Sequence, residues 1–334
     1  MNPRAQILTL QRQMREAIVG QERVIERILL GLLANGNLLL EGMPGLAKTR
    51  AVKALAGYLD AHFSRIQFTP DLLPSDVTGT DVLYQGEADT NFRFEPGPIF
   101  ANIVLGDELN RAPAKVQAAM LEAMEERQVT VAGKTHKLPD LFMVLATRNP
   151  VDQEGTYPLP EAQLDRFLMN VEIGYPTVED EMKIVSLVRA EENGERSLTA
   201  DPAAPTPVHA DTETLISQDA VFAARSEIAR LTVSDSLLRY IADLVAATRR
   251  PEEFSDDLNR WLEAGASPRA SIALDRTSRA HAWLGGRDYV DPENVRAILP
   301  DVLSHRVTLS YEAQGDGVTV DEVISELVRQ VALP

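Results

Sequence analysis

The residues best suited to chemistry lie in three short stretches. Gly42-Met43-Pro44-Gly45-Leu46-Ala47-Lys48-Thr49 follows the apolar run Asn37-Leu38-Leu39-Leu40 and opens an expected helix over about Lys48 to Leu59. A glycine-rich turn between a strand and a helix offers backbone N–H groups and a helix N-terminus to phosphate. In that arrangement the Lys48 ammonium would reach the β- and γ-phosphates of a nucleotide, and the Thr49 hydroxyl would ligate Mg²⁺. Ala47 stands where the usual pattern has glycine. Its methyl group demands a helical backbone, which a helix start tolerates. A plain Gly-Pro turn is the bland alternative.

Ile103-Val104-Leu105-Gly106-Asp107-Glu108 is the second stretch. Two carboxylates at the end of a buried strand are costly unless a cation or a proton-transfer role uses them. Beside a phosphate loop, Asp107 would orient the shell of a Mg²⁺ ion, and Glu108 would polarise an attacking water. Without that loop the pair would read as an acidic cap on the next helix. The third stretch ends the run Phe142 to Ala146 and carries Asn149, whose carboxamide could bond a γ-phosphate or the water. An Asn-Pro pair alone is only a turn, but the carboxyl ends of neighbouring parallel strands are where ligands bind.

These stretches need strands to carry them, and the first half of the chain supplies the pattern. Short apolar runs at Leu38–Leu40, Ile103–Leu105, Phe142–Ala146 and Phe167–Ile173, with a weaker one at Arg65–Phe68, alternate with helical patterns. The helix expected over Ala114 to Gln128 places Val116, Met120 and Met124 at four-residue spacing. Such alternation predicts an α/β fold: a doubly wound, five-stranded parallel sheet flanked by helices. From Pro176 onward the pattern becomes helical. Ser234, Ser267-Pro268 and Asp291-Pro292 read as helix starts, the last two with proline at the first helical position, and Gly285-Gly286 as a stop. Residues 191–214, with Pro202, Pro205 and Pro207, read as a long loop.

Composition narrows the classes. The 334 residues suffice for roughly two domains of about 150 residues. With no cysteine, disulfides, thiolate metal sites and thiol nucleophiles are excluded. The 33 basic and 50 acidic residues leave a net charge of −17, which opposes a broad nucleic-acid footprint. The five histidines, His62, His136, His209, His281 and His305, lack metal-ligand spacing, so Mg²⁺ is the one metal expected. No targeting segment and no apolar run of membrane-spanning length is visible, so a cytoplasmic protein is expected.

In this order, the motifs resemble the AAA+ ATPases, and within them the MoxR group, over nearly the whole chain. Gly42 to Thr49 resembles Walker A and Val104 to Glu108 Walker B. Asp107-Glu108-Leu109-Asn110-Arg111-Ala112-Pro113 is MoxR-like, Ala146-Thr147-Arg148-Asn149-Pro150 matches sensor 1, and Pro160 to Phe167 and Gly265 to Ala270 match later motifs. Arg148 departs from the Gln such proteins often carry, adding a charge beside sensor 1. The resemblance implies an AAA+ nucleotide-binding core over 1–175 and an all-helical lid over 176–334. It implies ATP with Mg²⁺ as cofactors, and Ile18 with Val19, Gly20 and Gln21 near the adenine. Arg166 would be the arginine finger that reaches a neighbouring subunit's γ-phosphate. Arg269, in the first helical turn after Ser267-Pro268, would be sensor 2, pointing from the lid towards the nucleotide cleft. Arg111 would line the subunit interface or cap the following helix.

Two insertions have hairpin patterns. In 70–98, the position of the helix-2 insert, Val82, Tyr84, Phe92 and Phe94 are expected on one face of a hairpin turning at Gln85 to Thr90. In 128–138, similar to the pre-sensor-1 hairpin, Val129 and Val131 precede a turn at Ala132-Gly133-Lys134. Their apolar faces would pack on the core, or their tips would meet a client. The implied function is a ring-forming ATPase, expected as a homo-hexamer, that remodels client protein complexes with a von Willebrand factor A domain partner. Nucleic-acid and chelatase-type motors share this plan and are the alternative. A small-molecule kinase would not need a finger at a subunit interface.

Overall fold

The computed structural model describes residues 2–43, 48–85, 90–148, 156–157, 159–193 and 215–333. Helices α1 (Pro3–Ala17) and α2 (Glu22–Leu33) come first. Then follow β1 (Leu38–Gly42), α3 (Lys48–Tyr58), β2 (Phe63–Gln67), the short α4 (Pro74–Thr78), and a hairpin of β3 (Gly79–Gln85) and β4 (Thr90–Pro96). Next are β5 (Ile103–Asp107), α5 (Ala114–Glu126), a second hairpin of β6 (Gln128–Val131) and β7 (Lys134–Lys137), β8 (Met143–Arg148), α6 (Glu161–Leu164) and β9 (Met169–Ile173).

Five of these strands form one parallel sheet in the order β2-β5-β8-β1-β9. Its central strands are apolar runs because both faces are covered. Leu38, Leu40, Leu105, Leu145 and Val171 pack with the apolar faces of α1, α2 and α3. The alternate residues Leu39, Val104, Val144 and Ala146 pack with Val116, Met120 and Met124 of α5. Because every strand runs the same way, β1, β5 and β8 deliver Gly42, Asp107 and Arg148 to one edge of the sheet.

The described remainder of the chain is helical, as the sequence predicts: α7 (Val178–Glu192), α8 (Gln218–Ile228), α9 (Asp235–Arg249), α10 (Asp256–Trp261), α11 (Pro268–Leu284), α12 (Pro292–Leu303), α13 (Tyr311–Gly315) and α14 (Val320–Gln330). The expected caps are present: Ser234 accepts from the Leu237 N–H at 3.2 Å, Ser267 from the Arg269 N–H at 3.1 Å, and Asp291 forms a capping box with Asn294. One antiparallel ribbon, β10 (Leu262–Ala264) with β11 (Thr308–Leu309), interrupts the helices, too short to register as a sequence pattern. These helices share one hydrophobic cluster with the sheet, in which Ile241, Leu274 and Ile298 join Leu38 and Val171. Residues 194–214, most of the Pro-rich loop, and 86–89 of the first hairpin's turn lie outside the described residues. Among those described, no helix is long and apolar enough to cross a membrane.

Both insertions are hairpins, but the expected face of the first is wrong. Its register pairs Val82 with Arg93, Leu83 with Phe92, and Asp81 with Phe94. Directly opposed residues share a face, so Phe92 and Phe94 lie with Leu83, opposite Val82 and Tyr84. Alternation within each strand was legible; the register that couples them was not. Phe94 stacks on His136 of β7 with ring centroids 3.8 Å apart and meets the Phe100 ring edge-on, tying the two hairpins together. Phe92, Leu83 and Tyr84 are exposed. The second hairpin turns through Ala132 and Gly133 with φ of 47° and 78°, the paired left-handed conformation of a two-residue turn.

Candidate nucleotide site

The phosphate-loop motif begins at the end of β1. A Cβ on Gly42 would lie 2.6 Å from the Ile173 carbonyl oxygen of β9, so only glycine fits that strand end. Met43 follows it, half-buried, and Lys48 and Thr49 open α3. The Lys48 ammonium folds back and donates to the Gly42 carbonyl at 2.6 Å, within the loop it would serve. Pro44, Gly45, Leu46 and Ala47 lie outside the described residues, as does Asn149 one residue beyond β8.

Asp107 ends β5 and Glu108 follows it with φ 59° and ψ 50°, a left-handed conformation rare for a side chain of this size. That kink turns Glu108 out of the strand. Thr147 of β8 braces it: the hydroxyl accepts from the Glu108 N–H at 2.9 Å and donates to Asp107 Oδ1 at 2.7 Å. The other Asp107 oxygen accepts from Arg65 Nη2 at 2.5 Å. Glu108 Oε2 accepts from Gln67 Nε2 at 3.1 Å and lies 3.3 Å from Arg111 Nε. Arg111 therefore belongs to the acidic pair's own surroundings. Arg148 is neutralised locally, since it grips Glu41 with three bonds of 3.2, 2.8 and 2.9 Å, and Asn170 donates to the same carboxylate.

Ile18 is buried, and Val19, Gly20 and Gln21 form the turn between α1 and α2. Gly20 has φ +73° and packs against Asp180 of α7, where a Cβ would come within 2.9 Å. Gln21 Nε2 donates to the Gly174 carbonyl just past β9 at 3.2 Å. The turn is thus held beside the strand ends that carry the loop.

The two expected arginines lie elsewhere. Arg166 precedes β9, and Leu168 beside it donates to the Asn37 carbonyl, which precedes β1. This is the opposite edge of the sheet, one strand length away, about 16 Å for five residues. Arg166 Nη1 is 3.0 Å from Glu125 Oε2 and 3.1 Å from the Leu121 carbonyl, both in α5. Arg269 bonds the other Glu125 oxygen, with a second amine 3.7 Å from Asp165. Arg269 therefore points away from its own chain's cleft, which corrects the expectation drawn from Ser267-Pro268. The helix starts where Ser267-Pro268 predicts, but where its first turn faces is decided by how the helical region docks.

That docking is specific. Arg306, buried behind Arg166, donates to Asp165 Oδ1 at 2.8 Å and to the carbonyls of Asp165, Phe167 and Leu168. His305 lies against the Phe167 carbonyl, with Nε2 at 3.1 Å. Its burial, with the Arg306 charge beside it, holds the imidazole pKa well below the ordinary 6.5.

Comparison with known proteins agrees with this geometry. The profile of the "ATPase family associated with various cellular activities (AAA)" matches residues 37–169, and that of the "AAA lid domain" matches 255–327. Chaperone MoxR1 of Mycobacterium tuberculosis is 43% identical over 99% of this chain and 84% of its own length. Protein MoxR of Methylorubrum extorquens is 33% identical over 96% of this chain and 92% of its own. The chain belongs to the MoxR group of AAA+ ATPases. A solved structure from Cytophaga hutchinsonii, provisionally named an ATPase, superposes on this MoxR-type chain with a TM-score of 0.88 at 41% identity, covering 99% of this chain and 96% of that one.

The donor set of this MoxR-type chain fits a nucleotide with Mg²⁺. A glycine that tolerates no side chain, one ammonium and one hydroxyl at a helix start, and two carboxylates at the end of β5, one strand over across β8, are gathered at one edge. Sequence reasoning missed the residues that hold this set. Thr147 lay inside a quoted motif without a role. Gln67, Arg65 and Glu41 sit in strands that looked merely structural. Glu125, His305 and Arg306 carry no local signature, since their partners are far away in sequence.

Proposed function

We propose that this chain hydrolyses ATP with Mg²⁺ and works as a ring, expected to be a homo-hexamer, that remodels client protein complexes in the cytoplasm. Residues 1–175 are the nucleotide-binding core and 176–334 the lid. Lys48 would hold the β- and γ-phosphates, with the loop Gly42 to Ala47 around them and Val19, Gly20 and Gln21 at the base. Thr49 and Asp107 would hold Mg²⁺, which neutralises phosphate charge when bound. Glu108 polarises the attacking water, and Asn149 would orient it. The name of the mycobacterial relative supports a chaperone-like role. A von Willebrand factor A domain partner fits the group, and the −17 charge favours a protein client over nucleic acid.

One observation carries this reading: Arg166 and Arg269 sit side by side at the sheet edge opposite the cleft. A cation at the γ-phosphate is worth about 10³–10⁵ in rate in GTPases that use one. Lying away from their own cleft, these two support a reading in which they serve a second copy. Glu108→Gln is expected to bind ATP without turning it over, and Arg166→Ala to bind it and hydrolyse it poorly. Mixed, the two variants create interfaces with an intact Glu108 on one side and an intact Arg166 on the other, so part of the activity returns. Subunit exchange is checked by sizing the mixed, nucleotide-bound protein. No recovery despite exchange removes the trans role of Arg166.

A further inference from the structure

Glu125 sits in the last turn of α5, where the helix carbonyls already point their negative ends. A carboxylate there is disfavoured by the helix dipole. The residue therefore adds nothing to its own helix, and its use must lie in its partners. Each of its oxygens faces a different arginine: Oε2 forms an ion pair with Arg166 Nη1 at 3.0 Å, and Oε1 accepts from Arg269 Nη2. One arginine comes from the turn before β9 and the other from the start of α11. Two guanidinium groups brought this close repel unless a negative charge stands between them. All three side chains are between 32% and 43% exposed, so the pair is neither sealed in the core nor out of a ligand's reach.

The backing is rigid. Asp165 accepts from the Ser267 hydroxyl at 2.7 Å and from buried Arg306 at 2.8 Å, fixing the turn of Arg166 to the helix start of Arg269. Glu125 is the carboxylate that both arginine tips share, beside the Leu121 carbonyl at Arg166 and the more distant Asp165 at Arg269.

We propose that Glu125 is a positioning residue that joins Arg166 and Arg269 into one two-cation unit, presented to the nucleotide phosphates of a second copy of this chain. This rests on the trans role of Arg166. Because Glu125 uses one oxygen per arginine, each guanidinium keeps other N–H groups to offer the phosphate. An amide in its place can accept from one arginine but turns its NH₂ on the other.

The test uses full-length Glu125→Gln, an isosteric change at a partly exposed site where an ion pair contributes little to folding. Its expected phenotype is a kcat lowered at least about tenfold with KM for ATP within about twofold of wild type. Mixed with Glu108→Gln, it regains activity, since its own cleft is intact. Mixed with Arg166→Ala it does not, since both carry the fault on the same face. Adding Glu125→Gln to Arg269→Ala lowers kcat no further. Glu125→Ala stands in should the Gln variant misfold; it gives the same kinetics and mixing pattern but, by removing the carboxylate at Arg166 too, lowers kcat further in the Arg269→Ala background. If Arg166→Ala and Glu108→Gln complement each other but Glu125→Gln turns over at the wild-type rate, the positioning role is wrong while the trans finger stands. If Glu125→Gln complements Arg166→Ala instead, its fault lies in the cleft and the proposal falls. If Arg166→Ala and Glu108→Gln never complement, both fall together.

Discussion

At the scale of single residues, the acidic pair shows how a strand end is made to work. Glu108 holds a left-handed backbone that costs about 1–3 kcal/mol, so its surroundings must fix it. Thr147, 1% exposed, does so with one hydroxyl that accepts from the Glu108 N–H and donates to Asp107. Thr147→Val keeps the shape and removes both bonds. Stranding a buried donor costs about 1–3 kcal/mol of stability. The Glu108 carboxylate, no longer held in place, should lose at least about tenfold in kcat, roughly 1.4 kcal/mol of barrier. ATP affinity should stay near wild type. Steady-state kinetics and a urea titration measure the two effects, and an unchanged kcat would mean the kink is held without the hydroxyl. Asp107 and Glu108 were legible because acids at a buried strand end are conspicuous. Thr147 was not, because a threonine in a strand is ordinary until its partner on the next strand is known.

At the scale of elements, the helices and strands followed from local rules, and the departures came where two elements had to be registered against each other. Serine and aspartate caps predicted α9, α11 and α12. The first hairpin was placed rightly, yet its faces were not. Its pairing of Leu83 with Phe92 separates two aromatics' roles: Phe94 is stacked on His136, and Phe92 is 68% exposed. Aromatic stacking adds about 0.5–1.5 kcal/mol to the area a ring buries. Phe94→Ala should therefore lower stability by about 1–3 kcal/mol and loosen both hairpins, seen as faster amide exchange in β6 and β7. Phe92→Ala should stay within about 0.5 kcal/mol of wild type. Equal losses from the two variants would show that the stack does not fasten one hairpin to the other.

At the scale of the molecule, the helical region is not an appendage, because it holds the turn that carries Arg166. It is tied to α2 as well, where buried Arg27 bonds Asp301 at 2.7 Å. None of this was legible in sequence: His305 and Arg306 follow α12 as an unremarkable pair, and only docking brings them under Phe167 and Asp165. That burial gives the whole chain a pH dependence with a definite sign. The folded His305 imidazole is held neutral by desolvation first, then by the Arg306 charge, with Arg148 adding to it and the Phe167 carbonyl opposing. The unfolded imidazole takes a proton below about pH 6.5. Between that value and the depressed folded one, the unfolded chain binds more protons, so stability falls as pH falls. The contribution is fully present above about pH 6.5 and shrinks by up to about 1.4 kcal/mol per unit below it. Asp301 works the other way: burial raises its carboxyl above 3.8, so the folded form gains from acid in that lower range. A comparison with His305→Gln removes this background, because the amide can still donate to the Phe167 carbonyl but does not titrate. From pH 7.5 to 5.5, urea unfolding of the wild type should lose about 1 kcal/mol more than the variant does. Turnover of the folded protein should not change through this imidazole over the same window, because it stays neutral against the Phe167 carbonyl until its depressed folded pKa is reached. Parallel stability profiles for the two proteins would mean that the folded imidazole is not held neutral against the Phe167 carbonyl.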